Sequence, residues 1–556
     1  MRTFEQSCLN AADTAQKRLL SILRDNAETE YGVKHHFSEI HSISVYKKQV
    51  PFSVFDDYEA SVDRMMHGEK NVLTAYPISF YAHTSGTLRA PKHIPFSEKA
   101  AGIVRAYGSF SDEVYTEYLS GKTPRMPSEP KVLYLATAQE EYAPDGTQIT
   151  NFSGKFLLEH KEALQRIAVK PELIFCGEQI DMSYLFAFYA LKEKETICIQ
   201  APFMSAVSDL FCYIEKHWKD LCRDIEEGVL RPDDRTSSIL LDKLAIDLHP
   251  DPVRAGILRE IFSKGFDHPI AAEIWPSLCY VQAIGAAGFS SFTRIVRRFI
   301  GQIPIFMSVY AASEGLFGIA VKMNSPEYAL IPETGYYEFI PEEDVDLPEA
   351  MLREHTLEMN QLLPGKKYEM VVTNLSGFYR YRIGDVVTVN RYYGQTPVIC
   401  FSYRRHQILN ITGEKTHEDM IQSVMSSMEE CTGINIVEWS ACADYSVSPA
   451  RYLLFMETDP EIEPEKVEKM RNLLEAKLSE ASEYYDQYRQ DNKLGPMELV
   501  FLQPQTFALY RDIQIWNGAS PNQLKPVHVI NNPKTEAFFR GLRIHKEADI
   551  GAGSDK

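Results

Sequence analysis

The sequence lacks an apolar run long enough to span a membrane, and residues 1–23 alternate polar and apolar residues without the pattern of a signal peptide. Its nine cysteines are scattered, and no Cys-x-x-Cys pair occurs, which argues against a disulfide framework and a zinc site. Lysine and arginine number 58 against 77 aspartates and glutamates, a net charge of −19. This shortage of positive charge argues against nucleic acid as a main partner. We therefore expect a globular cytoplasmic protein with no membrane partner.

The first 330 residues are predicted to form an α/β architecture. The chain has 556 residues, 44% of them hydrophobic and 24% charged, which is enough for two or three subdomains with cores. Strand-like runs alternate with helical ones, a pattern that favours largely parallel sheets. The predicted helices are 4–32, 182–192, 207–225 and 252–264, and the predicted strands are 131–136, 172–176, 196–200 and 304–310.

The pattern changes near residue 328. Short strand-like runs separated by turns predict an antiparallel, barrel-like module. Beyond residues 403–406 helices and strands mix again, so we expect an α+β C-terminal domain. The expected domains are 1–403 and 404–556. The predicted strands of the module are 337–340, 368–373, 385–389 and 398–402, and the later elements are helices 418–430 and 464–483 and strands 435–441 and 451–457.

The segment 81–95 carries the first candidate site. It places Thr84, Ser85, Gly86 and Thr87 in one run and Lys92 five residues later. Small residues let a backbone approach a polyphosphate, hydroxyls and N–H groups donate to its oxygens, and a lysine adds positive charge. The spacing is not that of a Walker loop, and a Ser-Gly-Thr run also suits an ordinary turn.

Two further motifs bring carboxylates to predicted strand ends. In the first, 308–318, Tyr310 could lie against a purine and Glu314 could hold Mg²⁺ on a phosphate. In the second, 377–385, Gly384 permits a tight turn before Asp385, whose two oxygens could accept both hydroxyls of a ribose. A solvated glutamate and a turn aspartate are the alternative interpretations of these acids.

Basic residues near the same motifs are further candidates. Arg380 and Arg382 alternate along one strand and could contact phosphate or the Asp385 carboxylate, or could instead belong to an exposed, salt-bridged strand. Lys525 lies in a predicted loop and could neutralise charge as a phosphate leaves, although a solvated lysine is the plainer interpretation.

Taken together and in this order, these motifs resemble those of the adenylate-forming enzymes. Within that superfamily the chain is similar to the Gretchen Hagen 3 family, the auxin-responsive acyl acid amido synthetases. The resemblance covers nearly the whole chain, and the matches around Trp218 and Gly518 separate it from ordinary acyl-CoA ligases. The matching stretches are 16–26, 30–31, 50–51, 217–230, 274–276, 310–318, 379–387 and 518–525.

The resemblance implies the adenylate-forming fold, with a large N-terminal domain and a smaller, mobile C-terminal one. It implies a ligase that uses ATP and Mg²⁺ to convert a carboxylic acid into an acyl adenylate, and then passes the acyl group to an amine, usually that of an amino acid. By the same resemblance, Arg404 and Arg405 lie at the hinge of the C-terminal domain. The residues implied for the site are Thr84, Ser85, Gly86, Thr87 and Lys92 for phosphate, Gly285, Ala286 and Tyr310 for adenine, Asp385 for ribose, Ser313 and Arg405 for nucleotide, Glu314 for metal, and Lys525, Glu314 and Lys92 for catalysis.

The phosphate loop departs from the family pattern. Leu88 and Arg89 stand where family members usually show a hydroxyl residue and a glycine. The acyl pocket is expected on the helix that follows, where Tyr107 and Ser111 lie one turn apart. The alternatives left open are a ligase that forms a thioester with coenzyme A or a carrier protein, and a degenerate, non-catalytic nucleotide- or ligand-binding homologue.

Overall fold

The computed structural model describes the chain with interruptions. The residues outside the description are 1, 84–91, 120–126, 139–140, 152–153, 156–160, 177–179, 235, 286–289, 406–407, 410, 412–413, 415, 460–461, 463, 518–523, 531 and 545–556. Within the described part, no helix combines the length and apolar character that crossing a membrane requires. The predicted phosphate-loop residues Thr84 to Thr87, with Leu88 and Arg89, lie outside the described residues, and so does Ala286.

The fold divides into two compact units, one reaching to Phe401 and the other beginning at Ser402. The predicted domain limits, 1–403 and 404–556, stay a prediction, because a division into compact units does not show that each part folds as a domain.

The helices of the N-terminal unit lie mostly before residue 301. They are α1 (Arg2–Leu9), α2 (Ala11–Asp25), α3 (Glu30–Lys34), α4 (Ile43–Gln49), α5 (Glu59–Met66), α6 (Glu98–Leu119), α7 (Pro171–Ile174), α8 (Met182–Lys192), α9 (Met204–Glu227), α10 (Ser238–Ala245), α11 (Pro252–Phe262), α12 (Ala271–Ile274), α13 (Ser290–Ile300) and α14 (Glu349–Leu352). Short 3₁₀ turns occupy Phe37–Glu39, Phe55–Asp57, Lys161–Arg166, Glu342–Asp344 and Met359–Gln361.

Three sheets build the same unit. The strands are β1 (Ile78–His83), β2 (His93–Ser97), β3 (Lys131–Tyr134), β4 (Glu141–Tyr142), β5 (Gln148–Thr150), β6 (Thr196–Phe203), β7 (Tyr280–Ile284), β8 (Ile305–Phe306), β9 (Val309–Ala312), β10 (Gly315–Ala320), β11 (Tyr328–Leu330), β12 (Gly335–Pro341), β13 (Lys367–Asn374), β14 (Tyr381–Tyr393) and β15 (Thr396–Arg404). Strands β3-β6-β7-β8 form a sheet whose neighbours all pair in parallel, as the alternation of helices and strands predicted. Strands β2-β1-β5-β4 form a mixed sheet.

The third sheet is the predicted antiparallel module. Its seven strands follow the order β12-β13-β14-β15-β11-β10-β9, and β12 pairs with β13 and β13 with β14 in antiparallel register. Its antiparallel character is confirmed, whereas closure of the strands into a barrel stays a prediction.

Helix ends in the N-terminal unit follow local chemistry. The long α9 ends at Gly228, whose φ of +68° places it in the left-handed region. A Cβ there would lie 2.5 Å from the backbone nitrogen of Pro250, so a glycine is needed. Asn10 separates α1 from α2, and Thr29 caps α3 by accepting from the backbone N–H of Gly32.

The C-terminal unit has its own core, in which Trp439, Tyr452 and Tyr485 are fully buried. Strands β18 and β19 pair in antiparallel fashion, and β19 and β20 pair in parallel. Its strands are β16 (Ile408–Leu409), β17 (Thr416–His417), β18 (Asn435–Asp444), β19 (Arg451–Asp459) and β20 (Glu498–Phe501), and its helices are α15 (Glu418–Thr432), α16 (Pro464–Ala481), α17 (Glu483–Gln490), α18 (Thr506–Trp516) and α19 (Pro533–Gly541). The mixture of helices and strands agrees with the predicted α+β character.

Three predictions of secondary structure were wrong. Residues 304–310 were predicted as one strand, but β8 and β9 divide this stretch and belong to different sheets. Residues 172–176 were predicted as a strand, but Pro171 opens helix α7, because proline suits the first turn of a helix. Residues 4–32 were predicted as one helix, yet they form three. In α2 the predicted apolar face is present, since Leu19, Ile22 and Leu23 are buried.

Candidate active site

A bulge in β14 positions Asp385. Glu369 of β13 pairs with Val386, whereas Val371 pairs with Arg382, so residues 383–385 of β14 face the single residue between those two partners on β13. Gly384 lies within the bulge at a φ of +81°. The expected tight turn is therefore a bulge inside a continuous strand, a device that redirects side chains next to functional sites.

Asp385 and Tyr310 are joined by a hydrogen bond. The Tyr310 hydroxyl donates to Oδ2 of Asp385 over 2.8 Å, although the two residues lie 75 positions apart. Only 2% of Asp385 is exposed, and the Tyr310 ring lies 5.7 Å from that of Phe317 and 6.0 Å from that of Tyr328. The structure therefore brings together the residues predicted to meet ribose and adenine.

Glu314 lies in the turn between β9 and β10, next to Ser313, and is held at two points. The Tyr381 hydroxyl donates to its Oε1 over 3.1 Å. The side-chain amide of Asn374 donates to its backbone oxygen over 3.0 Å. Sequence reasoning did not identify Asn374 or the role of Tyr381, because both act across the sheet on a residue distant in sequence.

These side-chain bonds show that the seven-stranded sheet is curled. In the strand order, β9 stands four positions away from β14 and five from β13. Tyr310 on β9 nevertheless reaches Asp385 on β14, and the β9–β10 turn reaches Asn374 on β13 and Tyr381 on β14. We call these three bonds the seam. Both candidate carboxylates of the N-terminal unit belong to it.

Gly285 lies just beyond β7 in a tightly packed position. The Thr293 hydroxyl donates to its carbonyl oxygen over 2.7 Å. A Cβ on Gly285 would lie 2.4 Å from that hydroxyl oxygen and 3.1 Å from Cε of Met204. A side chain here would displace Thr293 and Met204, so internal packing requires a glycine at this position.

A pair of histidines lies on the strands on either side of the predicted phosphate loop, and Lys92 directly precedes the second strand. Nζ of Lys92 lies 4.7 Å from the centre of the Phe55 ring. His83 on β1 pairs with His93 on β2, and their rings are 5.8 Å apart. Burial lowers the pKa of both imidazoles, while the Glu141 carboxylate opposes the shift. The histidine pair was not predicted from the sequence.

Arg380 is a structural residue, so the prediction that it contacts phosphate was wrong. Its side chain is fully buried, and its five N–H donors are all used. Two of them bond the Glu338 carboxylate, and the others bond backbone oxygens of Lys47, Val50 and Arg353. The residue adopts a φ of +46°, a strained conformation that these bonds enforce.

Arg382 also forms a salt bridge, as one interpretation of the sequence predicted for an exposed strand. Its guanidinium donates from Nε to Oε1 of Glu369 over 2.9 Å and also bonds the backbone oxygen of Val345. Glu369 is 1% exposed, so the salt-bridge interpretation is right but the expected exposure is not.

The predicted acyl-pocket residues lie on α6. Tyr107 is buried, and its hydroxyl donates to the Glu333 carboxylate, which also accepts from Ser7 over 2.6 Å. The ring packs edge-on against Phe4 at 5.9 Å, and burial raises the pKa of Tyr107. Ser111 occupies the following turn of the helix. Their role toward an acyl group stays a prediction.

In the C-terminal unit Lys525 is exposed in irregular backbone, next to the buried Leu524. The chain after it joins β18, because the backbone N–H of Ala441 donates to the carbonyl of His528 over 2.7 Å. Arg405, the predicted hinge residue, is half-buried.

His528 forms a buried ionic cluster. Its Nδ1 lies 2.6 Å from Oε1 of Glu418, its Nε2 lies 2.8 Å from Oε1 of Glu438, and its ring stacks on Trp439 at 4.2 Å. Burial alone lowers the pKa of His528, but the two carboxylates outweigh it and raise the pKa to about 10. The imidazolium thus fixes the backbone that follows Lys525.

Comparison with known proteins gives consistent matches along the chain. Three family models match it: the GH3 family N-terminal domain over residues 1–305, the central domain over 328–404 and the C-terminal domain over 418–534. The chain is 28% identical to the probable indole-3-acetic acid-amido synthetase GH3.11 of Oryza sativa subsp. japonica, over 96% of this chain and 94% of that protein. It is 26% identical to the indole-3-acetic acid-amido synthetase GH3.6 of Arabidopsis thaliana, over 97% and 93%.

A third relative is the jasmonoyl–L-amino acid synthetase GH3.5 of Oryza sativa subsp. japonica, 27% identical over 95% of this chain and 94% of that protein. Among solved structures, the AtGH3.15 acyl acid amido synthetase in complex with 2,4-DB superposes with a TM-score of 0.82 at 24% identity, covering 98% of this chain and 96% of that one. The chain therefore shares the fold of that acyl acid amido synthetase, in keeping with the predicted α/β fold class.

Proposed function

The chain belongs to the GH3 family, and from that membership we propose that the protein is an ATP-dependent acyl acid amido synthetase. It activates a carboxylic acid as an acyl adenylate with release of pyrophosphate, and then transfers the acyl group to an amine to give an amide and AMP. The expected amine is that of an amino acid, because curated relatives are named as synthetases of indole-3-acetic acid amides and of jasmonoyl–L-amino acids.

The observation that carries the proposal is the seam. It ties Asp385, in the bulge of β14, and Glu314, in the β9–β10 turn, to residues across the same seam, although their motifs lie some 70 residues apart in the sequence. Two such acids suit a ligand with both a sugar and a phosphate, one for the hydroxyls and one for a phosphate-bound cation.

Asp385 suits the ribose of ATP. Its Oδ2 accepts from Tyr310, and a carboxylate oxygen is an acceptor of the kind that ribose hydroxyls require. Tyr310 then fixes the carboxylate and presents its ring at the same place. Gly285 remains the proposed backbone wall beside the adenine.

Glu314 suits Mg²⁺. Among the described residues no group of three or more histidine, cysteine or acidic side chains could hold a metal ion. Mg²⁺ is often held by one or two carboxylates together with substrate phosphates, so a single half-buried glutamate fits that requirement. When bound, the ion would neutralise phosphate charge. Lys92 would add positive charge beside the phosphates, and Lys525 remains the proposed catalytic lysine of the C-terminal unit.

The chemical reason for adenylation is the leaving group. A carboxylate oxygen leaves poorly, whereas AMP leaves readily, so the protein has to bind, orient and neutralise charge. Thr84, Ser85, Gly86, Thr87, Ala286, Ser313 and Arg405 remain proposed nucleotide contacts, and Tyr107 and Ser111 proposed acyl contacts.

A pyrophosphate-exchange screen across carboxylic acids tests the proposal. We expect exchange that depends on ATP, Mg²⁺ and one class of acid, followed by an amide product when amino acids are added. Detection by mass of a thioester alone, with coenzyme A or a carrier thiol, would identify the alternative ligase. Failure to bind ATP or to exchange pyrophosphate with any acid would identify a non-catalytic homologue.

A further inference from the structure

The position of Glu314 at the site is determined by other residues. It lies in a turn between two strands, and a turn glutamate outside such restraint can adopt many rotamers. Two side chains from the opposite side of the seam restrain it, one at the carboxylate and one at the backbone. Both come from the stretch 374–381, which also contains the structural Arg380.

We propose that Tyr381 and Asn374 are positioning residues for the Glu314 carboxylate, which they hold in the geometry that a phosphate-bound divalent cation requires. The inference rests on the proposed function, since it names residues that support its metal-binding acid. Neither residue is proposed to touch substrate.

Tyr381 is itself rigidly placed. It is 6% exposed, and its ring stacks on Phe378, with the centres 4.9 Å apart and the planes at 29°. The Phe378 ring in turn stacks on Tyr58 at 4.7 Å. The neighbouring backbone is tied to Ser53, which donates its N–H to Arg380 and accepts from the N–H of Arg382. Because the ring is fixed, the Tyr381 hydroxyl oxygen is held in one position.

Asn374 is fixed by its own amide. Its Oδ1 accepts from the backbone N–H groups of Ser376 and Phe378 over 2.9 and 3.0 Å. These two donors determine which end of the amide is oxygen, so Nδ2 must face the carbonyl of Glu314. The side chain therefore joins two turns, one on each side of the seam.

A positioning role has a measurable consequence. Outer partners that orient a metal-binding side chain typically contribute 10–100-fold to metal affinity. Tyr381→Phe removes one hydroxyl and keeps the stacked ring. We expect it to weaken binding of Mn²⁺–ATP by about 10–100-fold, while binding of ATP without a divalent cation stays unchanged. Calorimetry with the full chain measures both affinities and does not require turnover.

Tyr184→Phe is the matched control. The Tyr184 hydroxyl also donates to a carboxylate, that of Asp224, over 2.8 Å, and its ring is buried. This variant loses the same kind of bond at a different carboxylate, so its affinities for both forms of ATP should equal those of the wild type.

Asn374→Ala tests the second half of the proposal, with Asn26→Ala as its control. Asn26 is buried, accepts from the N–H of Ala75 and donates to the carbonyl of Ile22, so it loses a comparable set of bonds. We expect the Mn²⁺–ATP affinity to fall in Asn374→Ala and to stay unchanged in Asn26→Ala. When Glu314→Gln is combined with Tyr381→Phe or with Asn374→Ala, the loss of Mn²⁺–ATP affinity should be no larger than in Glu314→Gln alone.

Equal Mn²⁺–ATP affinity in Tyr381→Phe and the wild type would overturn the inference and leave the proposed function standing. An equal loss with and without the cation would also overturn it, since a general structural role would produce that result. A wild type that binds neither form would reject the proposed function, and this inference with it.

Discussion

Replacing Arg380 by methionine is expected to destabilise the N-terminal unit strongly. The change leaves the Glu338 carboxylate, 0% exposed, without its cation, and it leaves three backbone oxygens without their donors. Breaking a buried ion pair by removing one partner costs about 3–5 kcal/mol. The left-handed backbone strain is not released, because methionine also has a Cβ and the backbone bonds of residue 380 to Ser53 and Thr373 remain. We therefore expect a loss of about 3–5 kcal/mol.

Hydrogen exchange of the full chain, followed by mass spectrometry on peptides from β12 and β13, measures this loss within the N-terminal unit. The variant Arg64→Met is a suitable control, because Arg64 pairs with Glu30 and Glu69 at the surface and its loss should change exchange little. The double variant Arg380→Met with Glu338→Leu should recover part of the stability, since neither charge is then left unpaired in the core.

Exchange rates in Arg380→Met that match those of Arg64→Met would refute the reasoning, because the buried pair would then contribute no more than a surface one. Lower stability in the double variant than in Arg380→Met would also refute it.

Three other predictions follow from the two units. The charged form of His528 stabilises the C-terminal unit, and its pKa is raised from 6.5 to about 10 in the folded protein. The stabilisation is therefore complete below pH 6.5 and is lost as the pH rises to about 10. Over this range the urea midpoint should fall in the wild type and stay constant in His528→Gln. Gly285→Ala places a Cβ 2.4 Å from the Thr293 hydroxyl and should weaken ATP binding measured by calorimetry. The double variant with Thr293→Ala should regain part of the ATP affinity. An unchanged affinity in Gly285→Ala would exclude a close wall at this position. Lys525→Ala should slow pyrophosphate exchange far more than aminolysis of a preformed acyl adenylate, and equal losses in the two steps would contradict its proposed role.

Sequence reasoning predicted those elements whose cause is local. The parallel sheet, the antiparallel module and the mixed C-terminal elements follow from hydrophobic periodicity, which each strand or helix carries by itself. Where one residue overrides the pattern, prediction failed: Pro171 turns an apolar run into a helix, and Asn10 divides a long amphipathic stretch.

The candidate site was only partly predictable. Asp385, Glu314 and Tyr310 stand out because their residue types suit nucleotide chemistry, and the structure joins two of them directly. Asn374 and Tyr381 could not be found in the same way, because their importance arises from the curling of the sheet, which no local pattern records.

Arg380 shows the opposite error, since its charge suggested a ligand while its environment makes it part of the core. Only burial distinguishes the two cases, and burial of an arginine depends on a glutamate 42 positions away.

The five bonded N–H groups of Arg380 also bear on how relatives of this chain can be judged from sequence. Within 377–385 the arginine serves the buried core, whereas Asp385, seated in the bulge five residues later, is the proposed ribose contact. A related chain can therefore keep the arginine for stability alone, so a match to the motif does not by itself indicate catalysis. Under the proposed function, the acid at 385, read together with Glu314, is the better marker of an active relative than the overall strength of the motif.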